Sequence, residues 1–295
     1  MSLIVKNVNK SFGDRKVVDN LSFELSKPGV FGLLGTNGAG KTTTIRMILG
    51  IIKKDSGDIT WNNKEVIRKN VNFGYLPEER GLYPKSKIYD QLMYFANLKG
   101  MNKVDADKAI KYWLEKLKVS EYVNYTAEKL SKGNQQKIQF ITSVLHNPDL
   151  IVLDEPFSGL DPVNTEILSN VMKELIKEGK YIIMSSHQMS SIEEFCTDLV
   201  ILNRGKTVLK GNLKEIKNSY KSSKILLETD DDVKKIINKL KLNILSNNDG
   251  TYIIEVNEDE NKKLFKELVD NNISISKYEV IKPSLHEIFI EKVGE

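Results

Sequence analysis

The stretch Gly32 to Thr44, GLLGTNGAGKTTT, packs four glycines into nine residues and follows them with a lysine and three threonines. Glycine-rich turns are usually only turns, so the flanks decide the meaning. GVFGLLG from Gly29 is an apolar run broken only by glycine, as in a fully buried strand, and KTTTIRMILGII after it spaces apolar residues as a helix does. Strand, glycine loop and helix together form a context in which backbone N–H groups converge on one point and the positive end of the helix adds to them. Side chains at Gly35, Gly38 and Gly40 would obstruct that curl. Lys41 can then neutralise β/γ-phosphate charge, and the Thr42 hydroxyl can ligate a bridging Mg²⁺.

A phosphate loop alone fits many nucleotide enzymes. LIVLDEP, Leu150 to Pro156, narrows the choice: an apolar strand ending in Asp154 places a carboxylate beside the metal, and Glu155 can polarise an attacking water. A GTPase would need an N-K-x-D motif to read guanine, and the sequence is taken to lack one.

The 295 residues suffice for one large domain or two ordinary ones, and 40% hydrophobic content supports a sizeable core. Forty-four basic residues against 40 acidic leave a formal charge of +4, spread along the chain, which argues against nucleic acid as a partner. Cys196, the sole cysteine, excludes an intrachain disulfide and reads as a buried structural thiol. No stretch approaches the ~18 apolar residues of a spanning helix, and MSLIVKNVNK lacks the apolar core of a signal peptide, so the chain is expected to stay in the cytoplasm.

LIVKNVNKSFGDRKVVDNLSFEL alternates apolar and polar residues around GD, as a hairpin would. From Tyr89 to His146 the pattern turns helical, and strands return with DLIVLDEP, KYIIMSSH and DLVILNRGKTVLKG. A helical insertion, at residues 85–146, therefore divides one nucleotide-binding domain of residues 1–221. Near Ser222 the pattern resets: KILLET as strand, DDVKKIINKL as helix, a hairpin turned at NNDG, the helix NKKLFKELVDN, the strand ISISKYEVI and a final helix. Residues 222–295 are thus expected to form a small ferredoxin-like α/β domain.

GTNGAGKTT, LSKGNQQ, LIVLDEPFSGLD and MSSH occur in the order in which they stand in the ATP-binding subunits of ABC transporters, and over about the first 220 residues the chain resembles that family. The resemblance implies an α/β P-loop NTPase fold, with a RecA-like core, an antiparallel β subdomain and a helical insertion. ATP and Mg²⁺ are the implied cofactors. Gly35, Asn37, Gly38, Ala39, Gly40, Lys41, Thr42 and Thr43 would hold the phosphates, and Phe12 would stack on adenine. Thr42, Asp154 and Glu78 would face the metal. Glu155 would be the general base and His187 the switch histidine that contacts the γ-phosphate. Ser131 and Gly133 would lie in the signature loop against ATP held by a second copy, and Asp161 in the loop joining the two sites. A head-to-tail homodimer beneath separately encoded membrane permease subunits, peripheral on the inner face of the bacterial membrane, is the implied assembly.

Two positions depart from the commonest family pattern. LSKGN carries Lys132 and Asn134 where glycine and glutamine are usual, and GYLPEERGLYP carries Glu78 where a glutamine usually stands. Both departures, with the ending PSLHEIFIEKV, resemble the ABC-2 exporters that extrude sodium, drugs or peptides. The rival readings are a soluble ABC regulator of ribosomes or DNA, and a small-molecule kinase. One cassette without sustained heptads and the presence of a signature loop count against them. The cargo stays open. His146 is expected to cap a helix or face solvent, His286 to be structural, and Leu92 and Phe95 to be core; Tyr83 and Tyr89 fit either core or a groove for a membrane partner.

Overall fold

The computed structural model describes residues 1–67, 71–79, 81–220 and 223–294. It divides into two compact units, Met1–Gly211 and Asn212–Glu295. The boundary expected at Ser222 lies outside the described residues, and the division falls earlier.

In the first unit, β1 (Leu3–Phe12) and β2 (Arg15–Leu25) form the antiparallel hairpin turned at Gly13 and Asp14. β3 (Gly29–Gly35) leaves this sheet, whereas β4 (Ser56–Trp61) pairs with the other side of β1 and β5 (Lys64–Glu65) follows it. The second sheet collects β3, β6 (Phe73–Leu76), β7 (Leu150–Asp154), β8 (Tyr181–Ser186), β9 (Cys196–Asn203) and β10 (Lys206–Asn212) in the order β10-β9-β3-β8-β7-β6. The ladders β6/β7, β7/β8, β8/β3 and β3/β9 are all parallel. Every residue of β3, β7 and β8 is buried, which is why these strands read as continuous apolar runs without alternation. One core joins the two sheets, with Leu3, Val5, Leu21 and Phe23 of the first meeting Leu33, Val152, Ile183 and Val200 of the second, and Ile45 and Ile48 of α1 (Lys41–Ile48) between them. The parallel strands all point their carboxyl ends to one edge, so Gly35, Asp154 and Ser186 emerge side by side.

Between β6 and β7 the described residues form α2 (Ile88–Leu98), α3 (Lys103–Lys116) and α4 (Lys132–Val144) with two short 3₁₀ turns and, among them, no strand, the helical insertion expected. The letters N-K-x-D do occur, as Asn102-Lys103-Val104-Asp105, which corrects the expectation that they are missing. They form a helix cap. Asn102 Oδ1 accepts from the Asp105 N–H at 2.9 Å, its amide donates to Asp105 Oδ2 at 2.6 Å, and both residues are consumed in starting α3.

Leu92 is fully buried, but Phe95, although it shares a helix face with buried Ile88, Gln91 and Leu92, is only half-buried and stacks on Tyr83, itself 52% exposed. Cys196 is buried, and desolvation raises its thiol well above the ordinary range. His146 corrects the surface expectation. Neither a cap nor solvated, it is half-buried with Nε2 3.0 Å from the Phe73 carbonyl, and its Nδ1 is buried without a partner among the described residues. Burial, with Lys99 nearby, pulls its pKa from 6.5 down to about 4. A base whose folded pKa is depressed lends its full stability above the unfolded value near 6.5, and that stability drains as pH falls toward the folded value near 4. His146→Gln is therefore expected to flatten the pH dependence of unfolding between about 6.5 and 4, a span worth on the order of 2–3 kcal/mol. Parallel urea-stability profiles for the two proteins over that range would refute the assignment.

After α5 (Pro162–Lys177) and α6 (Met189–Phe195) of the first unit, the second begins with α7 (Leu213–Ser219) and runs β11 (Ser223–Glu228), α8 (Lys234–Lys239), β12 (Asn243–Asn248), β13 (Thr251–Val256), α9 (Glu258–Asp270), β14 (Lys277–Ile281) and α10 (Leu285–Gly294). Its antiparallel sheet has the order β12-β13-β11-β14, which with the βαββαβ succession is the ferredoxin-like arrangement. Asp249 and Gly250, both at positive φ, make the two-residue turn between β12 and β13. Ile225, Leu227, Ile254, Leu264 and Leu268 supply the core. β14 is shorter than the expected ISISKYEVI, because its partner β11 ends opposite Lys277 and the N–H groups of Ser274 and Ser276 bond to Asp231 and Glu228 instead. His286 is exposed. Among the described residues, no helix is long and apolar enough to cross a membrane.

Candidate functional site

The carboxyl end of β3 opens into the loop Thr36–Gly40, and α1 starts at Lys41. Gly40 sits at φ +102, where a Cβ would come within 2.6 Å of the Val17 carbonyl, so the curl leaves no room for a side chain. α1 has no side-chain cap and no acidic residue in its first turn. Its first N–H groups and its positive end are therefore left for an anion. Lys41 is buried and arches back over the loop, donating to the carbonyls of Gly35 at 2.8 Å and Thr36 at 3.3 Å. Thr42 and Thr43 are half-buried, whereas the Thr44 hydroxyl is spent on the Gly40 carbonyl at 2.8 Å.

A cleft of about 440 Å³ lies over this loop, lined by Phe12, Arg15 and Val17 on one side, by Asn37 to Thr43 at its floor, and by Glu78, Asp154 and Glu155 opposite. Phe12 is half exposed at its mouth, with Lys10 Nζ 5.3 Å from the ring centroid. Sequence reasoning passed over Arg15, which the hairpin register pairs with Phe12, and Val17 of the same strand, whose carbonyl lies against Gly40.

The two carboxylates are held differently. Asp154, paired with Ser185 in the β7/β8 ladder, accepts the Ser185 hydroxyl at Oδ1, while its Oδ2 is buried with no partner among the described residues. An orphaned, fully buried carboxylate oxygen facing a phosphate loop is the donor a hard cation requires, and the residues present fit Mg²⁺. Glu155 stands one residue beyond the strand at φ +51, its N–H donating to the Ser185 carbonyl at 3.2 Å. Its Oε2 accepts the Ser186 hydroxyl at 3.3 Å and lies 2.9 Å from His187 Nδ1. Glu155 is buried and His187 mostly exposed. Ser185 and Ser186 were missed as positioning groups; MSSH contained them, but only strand adjacency shows that they address the two acids.

The remaining expected residues stand apart from this cleft. Ser131 caps α4, accepting the Asn134 N–H at 3.3 Å. Asp161 caps α5 (Pro162–Lys177), accepting from the N–H and the amide of Asn164 at 2.9 and 2.6 Å, which holds its carboxyl below the usual carboxylate range. A Cβ on Gly133 would lie 3.0 Å from that same Asn164 amide. Signature loop and Asp161 loop thus form one neighbourhood, separate from the residues lining the Lys41 cleft.

The family model described as ABC transporter matches residues 18–158, and that described as ATP-binding protein DrrA1-3-like, C-terminal domain, matches residues 211–293. The uncharacterized ABC transporter ATP-binding protein YhaQ of Bacillus subtilis is 49% identical over 99% of this chain and 98% of its own length. The chain belongs to the ATP-binding subunits of ABC transporters. Its carboxy-terminal unit places it in the ABC-2 exporter branch, and with this family comes the activity, hydrolysis of ATP. The linearmycin resistance ATP-binding protein LnrL of the same organism is 28% identical over 99% of this chain and 98% of its own length. A solved structure titled as the ATP binding subunit of an ABC transporter superposes with a TM-score of 0.68 at 28% identity, covering 74% of this chain and 92% of that one.

Proposed function

We propose that this chain is the motor of an exporter, in which two copies meet head to tail, ATP closes the pair and hydrolysis reopens it, working on separately encoded membrane subunits at the inner face of the membrane. The observation that carries this reading is the convergence of Lys41, Asp154 and Glu155 on one cleft while Ser131, Gly133 and Asp161 gather elsewhere. One chain then holds half of each site, and a second copy completes it. LnrL's name, a resistance ATP-binding protein, supports an exported cargo.

In this reading the N–H groups of the loop and the start of α1 cradle the phosphates, and Lys41 offsets their charge. Thr42, Asp154 and Glu78 would hold Mg²⁺, which when bound supplies positive charge to the phosphoryl oxygens. Glu155 Oε2 takes the proton of the attacking water, oriented by the Ser186 hydroxyl, and His187 beside it supports the γ-phosphate. Phe12 receives the adenine.

Purification of the tagged chain from membranes, with identification of what accompanies it, tests the assignment. A co-purifying protein of about six apolar spans is the expected result; ribosomes in its place would favour the soluble regulator. The metal side has its own test. A carboxylate near Mg²⁺ strengthens its hold, so Glu78→Gln is expected to leave maximal hydrolysis largely intact while raising the Mg²⁺ concentration needed. Superimposable Mg²⁺ titrations would show that Glu78 faces away.

A further inference from the structure

α4 is a mostly buried helix, and a glutamine amide on its inner face has no obvious place there: Gln139 is 3% exposed, between fully buried Ile138 and Phe140. Burying an amide is costly unless its groups are paired. The pairing here is specific. The Gln139 amide donates to the carbonyls of Pro77 at 3.2 Å and Glu79 at 2.9 Å, and its oxygen accepts the Gly81 N–H at 3.2 Å. These main-chain groups lie on both sides of Glu78, whose side chain lines the nucleotide cleft. The helix is also pressed onto the preceding strand: a Cβ on Gly74 of β6 would fall 1.8 Å from the Ser143 carbonyl. One turn earlier Gln136 donates to the Pro156 carbonyl at 3.1 Å, next to Glu155.

We infer that Gln139 is a positioning residue for the metal side of the site: it fixes the backbone around Glu78 and thereby sets where that carboxylate stands. Ser131, at the start of the same helix, is eight residues away, about 12 Å of rigid helix. A displacement of α4 at its signature end would thus be carried to Glu78 through three hydrogen bonds. The inference rests on the reading that Glu78 faces Mg²⁺.

The test is a cycle of Gln139→Ala, Glu78→Gln and the double variant. It reads the Mg²⁺ midpoint of hydrolysis and, in a Glu155→Gln background, the Mg²⁺ midpoint of ATP binding, which needs no turnover. Gln139→Ala is expected to raise both midpoints by about tenfold, the lower end of the scale for groups that orient metal ligands, and to add nothing once Glu78 is glutamine. Gln139→Glu keeps the volume and the bond from Gly81 but cannot donate to the two carbonyls, so it should behave like alanine even if alanine loosens the helix. Gln136→Ala, which frees Pro156 instead, should leave the midpoints in place. Equal shifts from Gln139→Ala with and without the Glu78 carboxylate, no shift at all, or the same shift from Gln136→Ala would overturn the positioning role. A Glu78→Gln variant that moves neither midpoint would remove the reading of Glu78 itself, and the inference with it.

Discussion

Glu155→Gln is expected to bind ATP as tightly as the parent chain and to hydrolyse it about 10² to 10⁴ times more slowly, a loss of about 3–5 kcal/mol in transition-state stabilisation. The geometry makes this substitution unusually clean. Glu155 is buried at φ +51, and the backbone that aims it is held by Ser185 rather than by its own carboxylate. Glutamine keeps the shape and still accepts the Ser186 hydroxyl, so proton acceptance is lost without loss of position. ATP-bound dimers should then accumulate on a sizing column. Turnover near that of the parent in a single-turnover phosphate assay would take Glu155 out of the role of base.

The parts of this site that were legible in the sequence are those whose chemistry is local. Gly40 announces the curl because the clash that forbids a side chain there is made by a backbone carbonyl, Val17, that any residue would present. Asp154 and Glu155 follow from an apolar strand running into acids. Ser185, Ser186 and Gln139 were not legible, since each acts on a residue many positions away through a strand ladder or helix packing that periodicity does not encode. His146 failed for the opposite reason: a polar type at a helix end suggests solvent, and only the fold shows the Phe73 carbonyl waiting beneath it. Asn102–Asp105 carries the letters of a base-reading motif, yet its hydrogen bonds are those of a helix start. In the carboxy-terminal unit the succession of elements was readable because its strands alternate and its turn is Asp-Gly, whereas the length of β14 depended on where its partner stops.

Lys41→Ala should act on binding itself rather than on the chemical step. The Lys41 ammonium is buried against the Gly35 and Thr36 carbonyls, a cation fixed over the phosphate loop by the loop's own backbone. A charge-assisted contact to a phosphate, made by a group already desolvated, is worth more than a surface ion pair. ATP affinity is therefore expected to fall by about 10², or about 2.7 kcal/mol. Loss of the loop's shape would mimic this result, but the loop has other supports: the Ala39 N–H bonds Thr36 and the Gly205 N–H bonds Ala39, both at 3.1 Å. AMP separates the two explanations, because it lacks the β- and γ-phosphates that Lys41 would neutralise. Calorimetric titration should show ATP binding weakened far more than AMP binding. Equal weakening of both would mean that the loop had collapsed, and unchanged ATP affinity would count against the phosphate-loop assignment altogether.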